Sequence, residues 1–119
     1  MFSSKRFSAV DLNGDERLQY FIRMVREHKE LWGLYADGWA ESTDEQRRKG
    51  FIVFPDQSHA GLCATDKWKH YSPKMIKLSS FLDRFLDKLA KQKYTVAVFP
   101  TPFDGPVQVE PDVLRQELA

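Results

Sequence analysis

The sequence predicts an α+β domain, with a largely antiparallel sheet of about five strands and helices packed mainly on one face. Three observations carry that prediction. Apolar residues recur at helical spacing near residue 20 and again after residue 80. Short β-branched and aromatic runs, bounded by Gly, Asp and Pro, lie before and after the second helical stripe. These runs fall into two groups separated by helices, as expected of hairpins in one sheet.

The elements follow in order. Residues 1–13 have mixed polarity and read as a loosely held N-terminal arm, with residues 14–119 as a single domain. Asn13 suits a helix N-cap, and Glu16 stands three residues on to complete a capping box. Leu18, Phe21, Ile22 and Val25 then form the apolar stripe of a helix, with Arg17, Gln19, Arg23, Arg26 and Glu27 placed outside. Leu31 to Ala36 and Trp39 to Ser42 flank Asp37-Gly38, a pair that favours a type I′ hairpin turn. Thr43 to Lys49 is a polar connection, and Phe51 to Phe54 is a third strand ended by Pro55. A short helix over Ser58 to Ala64 takes Asp56 or Ser58 as its cap. An aromatic loop, Trp68 to Pro73, leads to a short extended run, Lys74 to Leu78. Ser80 with Asp83 reads as a second capping box, opening a helix with Phe81, Leu82, Phe85, Leu86 and Leu89 on its apolar face. Tyr94 to Phe99 and Val107 to Val109 are strands, joined by the turn-rich Thr101 to Pro106. Pro111 suits the first position of a terminal helix.

Composition bounds the function. The 18 Lys and Arg balance 17 Asp and Glu, so no global field draws the chain to nucleic acid or to an anionic membrane. No stretch approaches the roughly 18 apolar residues of a membrane span. Cys63 is the one cysteine and has no internal partner, which fits a reducing, cytoplasmic compartment.

Several segments carry a resemblance. Leu31-Trp32-Gly33-Leu34-Tyr35 and Asp37-Gly38-Trp39-Ala40 are similar to the opening hairpin of a bacterial domain-of-unknown-function family, DUF2750. Val53-Phe54-Pro55, Leu62-Cys63-Ala64, Trp68 and Tyr71 continue the likeness, as do Val98 to Pro102 and Val109-Glu110-Pro111. The stretch from Asp56 to His59 departs from the more aromatic run expected there. The resemblance spans the chain from the first helix onward. It implies a compact bacterial α+β domain and carries no activity with it.

Chemistry-bearing residues are sparse. His59 and Cys63 stand four apart on the short helix, with Asp66 and His70 nearby in sequence. A zinc site needs four ligands and a nucleophilic cysteine needs a base, whereas a lone cysteine beside Ala60 and Leu62 packs as a small hydrophobe. No metal, cofactor or catalytic residue is therefore assigned. His28, near the end of the first helix, suits the helix dipole. Arg47-Arg48-Lys49 reads as a solvated loop rather than a nucleic-acid contact.

The aromatic residues are more suggestive. Val53-Phe54-Pro55 and Val98-Phe99-Pro100 each end a strand with a proline that cannot donate to the ladder. If the two strands run the same way in one sheet, both ends meet at one edge. That edge then gathers Phe54, Phe99, Pro102, Trp68 and Tyr71 as a binding site. If the strands run oppositely, both phenylalanines lie in the core at opposite edges and no such site exists. On this basis the chain reads as a non-enzymatic domain that binds a protein partner or a second copy of itself, with no nucleic-acid or membrane ligand. The alternative is a small enzyme or ligand-binding protein with a site near His59, Cys63 and His70.

Overall fold

The helix that opens the described part of the chain forms as its cap residues dictate. In the computed structural model, which describes residues 8–119, α1 (Gly14–His28) starts with the Asn13 side chain accepting from the Glu16 N–H at 2.9 Å. The Glu16 carboxylate accepts in return from the Asn13 N–H at 3.0 Å, closing the capping box. The helix ends at Lys29, in the left-handed conformation, with Arg26 and His28 in its last turn. Phe21, Ile22 and Val25 are buried and Leu18 partly so. Arg17 corrects the expected phasing: it is only 1% exposed. It stands four residues before Phe21 and eight before Val25, so helical geometry puts it on the inner stripe whatever its charge. Of the expected N-terminal arm, residues 1–7 lie outside the described residues. Ala9–Asp11 form a 3₁₀ turn, and Ala9 is buried.

Among the described residues, six strands and four further helices complete the α+β architecture. They are β1 (Glu30–Tyr35), β2 (Glu41–Thr43), β3 (Lys49–Val53), α2 (Gln57–Leu62), β4 (Ser72–Lys77), α3 (Leu78–Ser80), α4 (Leu86–Lys91), β5 (Thr95–Val98), β6 (Val107–Val109) and α5 (Pro111–Leu118). A π-helical segment, Phe81–Phe85, joins α3 to α4. The strands make two sheets, β1-β4 and β2-β3-β5-β6. Three of the four pairings are antiparallel; β3 and β5 run parallel, in register from Gly50↔Thr95 to Val53↔Val98. The sheets meet where the Trp32 N–H donates to the Phe54 carbonyl at 3.0 Å and the Trp32 carbonyl accepts from the Phe54 N–H at 2.7 Å. All four residues of β5 are buried, as in a strand covered on both faces.

Two local expectations are corrected. The chain reverses at Asp37-Gly38, but only Asp37 takes a positive φ, so the turn is not type I′. After one bridge, Tyr35↔Trp39, the chain leaves β1, which pairs along its length with β4 instead. Gly33 permits this: a Cβ there would lie 2.8 Å from the Trp39 ring, which folds across β1 at that point. Likewise Ser80 caps nothing. The helix begins at Leu78, whose N–H donates to the Lys29 carbonyl, so Ser80 is already inside it. Pro111 does occupy the first turn of α5.

The core spans both sheets, with Phe21, Leu34, Phe54, Phe81, Phe99 and Leu114 fully enclosed. Phe81→Ala is expected to lower stability by about 3–5 kcal/mol in urea denaturation. Phe85→Ala should cost less, because its ring is only partly buried. A loss under about 1 kcal/mol for Phe81→Ala would remove that residue from the core.

Candidate functional site

Parallel pairing puts both Phe-Pro ends at one edge of the sheet. The Phe99 N–H continues the ladder to the Val53 carbonyl at 2.8 Å, so the two segments leave the sheet side by side. Phe99 then adopts φ 51°, a left-handed conformation that a bulky residue before proline avoids. Such strain costs on the order of 1–3 kcal/mol and persists only where neighbours over-determine it. The neighbour here is Arg17. Its Nε donates to the Phe99 carbonyl at 2.9 Å and its Nη2 to the Gly105 carbonyl at 2.7 Å. Its Nη1 serves the Leu12 carbonyl and Asp104 Oδ2, both at 3.1 Å.

Arg17 thereby fixes both ends of the turn that follows Pro100. Within the turn, buried Thr101 accepts at Oγ1 from the N–H groups of Phe103 (3.1 Å) and Asp104 (3.0 Å). The Thr101 N–H donates to the Asp104 carbonyl at 2.9 Å, and the Gly105 N–H to Asp104 Oδ1 at 2.9 Å. Every backbone N–H of the turn is hydrogen-bonded, yet the Phe103 ring it carries is 81% exposed and Pro102 beside it is exposed.

The same edge holds α2. Asp56 caps it by accepting from the His59 N–H at 2.9 Å, and its two carboxylate oxygens lie 2.8 and 2.9 Å from His59 Nδ1. The imidazole stands edge-on to Phe99 at 5.0 Å and to Tyr20 at 6.3 Å between ring centres. Burial pushes the Asp56 pKa up, but the hydrogen bonds from His59 outweigh it and hold the carboxyl below its ordinary value. Burial, reinforced by the Asp56 charge, raises Tyr20. Farther along α2, the buried Cys63 Sγ lies 3.5 Å from the Pro100 carbonyl, and burial pushes its thiol up to about 11. Cys63, Asp66, Trp68, Thr101 and Pro102 line a shallow hollow of about 310 Å³.

With that geometry in view, comparison with known proteins adds one finding. The family described as "Protein of unknown function (DUF2750)" matches residues 18–118. The chain belongs to the DUF2750 family. No curated protein and no solved structure matches it. The match covers every segment on which the sequence resemblance rests.

Against this DUF2750 fold, the residues singled out from sequence divide into three groups. Phe54 and Phe99 share the edge but are fully buried, so they form its foundation rather than its surface. Trp68 and Pro102 meet in the hollow beside Cys63. Tyr71 is partly buried against the core, its N–H bonded to the Trp68 carbonyl, and does not line the hollow. Neither His59 nor His70 lines the hollow with Cys63, and among the described residues no three metal-binding side chains gather. Sequence reasoning missed Arg17 and Asp104, and it noted Phe103 only as part of a rigid apolar turn with Pro100 and Pro102, outside the candidate site. The signal for Arg17 was its helical spacing from Phe21 and Val25.

Two measurements test this arrangement. Arg17→Ala leaves the buried Phe99 carbonyl unmet and should cost about 1–3 kcal/mol in urea denaturation. Arg17→Lys should not restore the loss, because an ammonium lacks the planar fork; full rescue by lysine would reduce Arg17 to a charge. The raised thiol of Cys63 predicts slow labelling by a thiol reagent at neutral pH until denaturant is added. The unfolded chain releases this proton near pH 9.0 and the folded chain near 11, so the thiol's contribution to stability is whole below pH 9 and lost as pH rises toward 11. Fast native labelling at pH 7 would contradict the burial.

Proposed function

We propose that this DUF2750 chain is a non-enzymatic protein-binding domain that engages its partner through the Thr101–Gly105 turn. The observation that carries the proposal is Phe103: a phenylalanine 81% exposed on a turn whose backbone is held from within. Aromatic side chains dominate the energetics of protein interfaces when they enter a partner's pocket. A turn already fixed in its bound shape loses little conformational freedom on binding. Pro102 adds apolar surface, and the hollow lined by Cys63 and Trp68 lies beside the anchor, suited to a small apolar side chain of the partner.

The Arg47–Lys49 run offers little to nucleic acid. Arg48 is committed to Glu110 at 2.6 and 2.8 Å and to the Lys93 and Tyr94 carbonyls. Among the described residues no helix is long and apolar enough to cross a membrane. The lone, buried Cys63 suits a reducing cytoplasm. An enzyme or ligand site near His59, Cys63 and His70 has one observation in its favour, the Asp56–His59 pair. Against it, the thiol is protonated at neutral pH and shares no pocket with either imidazole.

The test places a photo-crosslinking phenylalanine analogue at position 103 of the full chain and irradiates a bacterial lysate. A discrete protein adduct is expected. The same probe at Val113, which is 52% exposed on α5, should not yield it. An adduct of twice the chain mass identifies a second copy as the partner. Equal, diffuse labelling from both positions would sink the proposal. Phe103→Ala should abolish capture of the adduct's partner while changing stability by less than about 0.5 kcal/mol.

A further inference from the structure

The opposite end of the parallel pair carries a second feature. Phe51 at the start of β3 and Tyr94 just before β5 line a groove of about 410 Å³ with Trp39, Glu41, Arg84, Phe85, Lys88, Leu89 and Gln92. We propose that this groove binds a small planar aromatic anion. Its size lies in the range of small-molecule sites.

The floor is aromatic. Trp39 stands edge-on to Phe51 at 5.5 Å and to Phe85 at 5.9 Å, and Phe51 lies 5.6 Å from Phe85 between ring centres. Trp39, Phe85 and Tyr94 are each only partly buried, so ring surface remains for a flat ligand. The charges at the rim do not cancel. Glu41 already accepts from the Tyr94 hydroxyl at 2.8 Å and lies 3.9 Å from the Lys49 ammonium. Arg84 and Lys88 stand one helical turn apart and, among the described residues, neither side chain has a hydrogen-bond or ion-pair partner. Like charges at this spacing repel, and an anion between them turns that repulsion into attraction. Asp87, between them in sequence, is taken by Arg115 at 2.6 Å and so does not neutralise them.

The backbone supplies an independent sign. Arg84 and Phe85 belong to the π-helical segment Phe81–Phe85, where the Leu86 N–H reaches back five residues to the Phe81 carbonyl. One such turn shifts everything after it by a position relative to a regular helix. Segments of this kind are found frequently at functional sites. Here the shift keeps Phe85 against Trp39 and Phe51 while Arg84 and Lys88 stand at the rim.

The test titrates the isotopically labelled full chain with 2-naphthoate, with the neutral 2-naphthamide and with inorganic phosphate, followed by NMR. Shifts confined to the Trp39 indole, Phe85 and Tyr94 are expected with 2-naphthoate, at an affinity at least about tenfold above that for 2-naphthamide. The double variant Arg84→Gln/Lys88→Gln should erase that difference, and its melting temperature should stay within a few degrees because both side chains are exposed. Phosphate alone should bind far more weakly than 2-naphthoate. Equal affinities for acid and amide, shifts elsewhere on the protein, no saturation with 2-naphthoate, or phosphate binding as tightly as 2-naphthoate would each overturn the proposal.

Discussion

A single guanidinium, 1% exposed, organises the carboxyl end of the sheet. Burying a charge is expensive unless its donors are met, and here Arg17 meets three carbonyls and one carboxylate. Its ion-pair partner Asp104 keeps a side chain 64% exposed, so only one of the two charges loses its water. That asymmetry limits the desolvation cost while leaving the directional bonds intact. The bonds in turn hold Phe99 in a left-handed conformation it would not otherwise adopt, and hold the carbonyl of Gly105 at the far end of the turn. α1, the end of β5 and the turn thus share one fastening.

The parallel pairing of β3 and β5 makes that fastening consequential. A parallel pair needs a long crossover, and here it runs through α2, β4 and the helical stretch 78–91. β4 returns to pair with β1, so the crossover is itself held by a second sheet. Because the two central strands point the same way, their carboxyl ends emerge together. His59 and Cys63 of α2 then pack against the Phe99-Pro100 segment that Arg17 holds from the other side.

The sequence showed some of this and hid the rest for identifiable reasons. The Asn13–Glu16 capping box and Pro111 at the start of α5 depend on neighbours within one turn, and both were legible. Asp37-Gly38 marked a reversal correctly, but the turn type was decided by a distant demand, the Trp39 ring folding over Gly33. Ser80 and Asp83 match a capping pattern, yet the Lys29 carbonyl starts the helix earlier by receiving the Leu78 N–H. The meeting of the Phe54-Pro55 and Phe99-Pro100 ends was readable only as one of two outcomes, because strand direction is a property of the whole sheet. Arg17 was hidden because residue type argued for the surface while its spacing from Phe21 argued for the core. Phe103 was legible as part of a rigid apolar turn with Pro100 and Pro102, but nothing in the sequence distinguishes an exposed ring from a buried one there.

The two ends of the β3–β5 pair are built on contrary principles. At the carboxyl end the backbone N–H donors of the turn are engaged, the strain at Phe99 is held in place, and the Phe103 ring is exposed. At the amino end Trp39, Phe51 and Phe85 line a recess, while among the described residues Arg84 and Lys88 have no hydrogen-bond or ion-pair partner at its rim. Such a surface offers a pocket and leaves its charges to be met from outside. Helix 78–91 borders the second end and α1 fastens the first, and the core residues Phe21 and Phe81 on those helices are both fully enclosed. The interior is close-packed and transmits strain, and coupling between two ends needs an element with two arrangements. Neither Arg17, with its four bonds, nor the closed capping box of α1 leaves a second arrangement in view at the first end. The two ends share the β3–β5 pair and differ in what they leave exposed: an aromatic ring at one, two cationic side chains at the other.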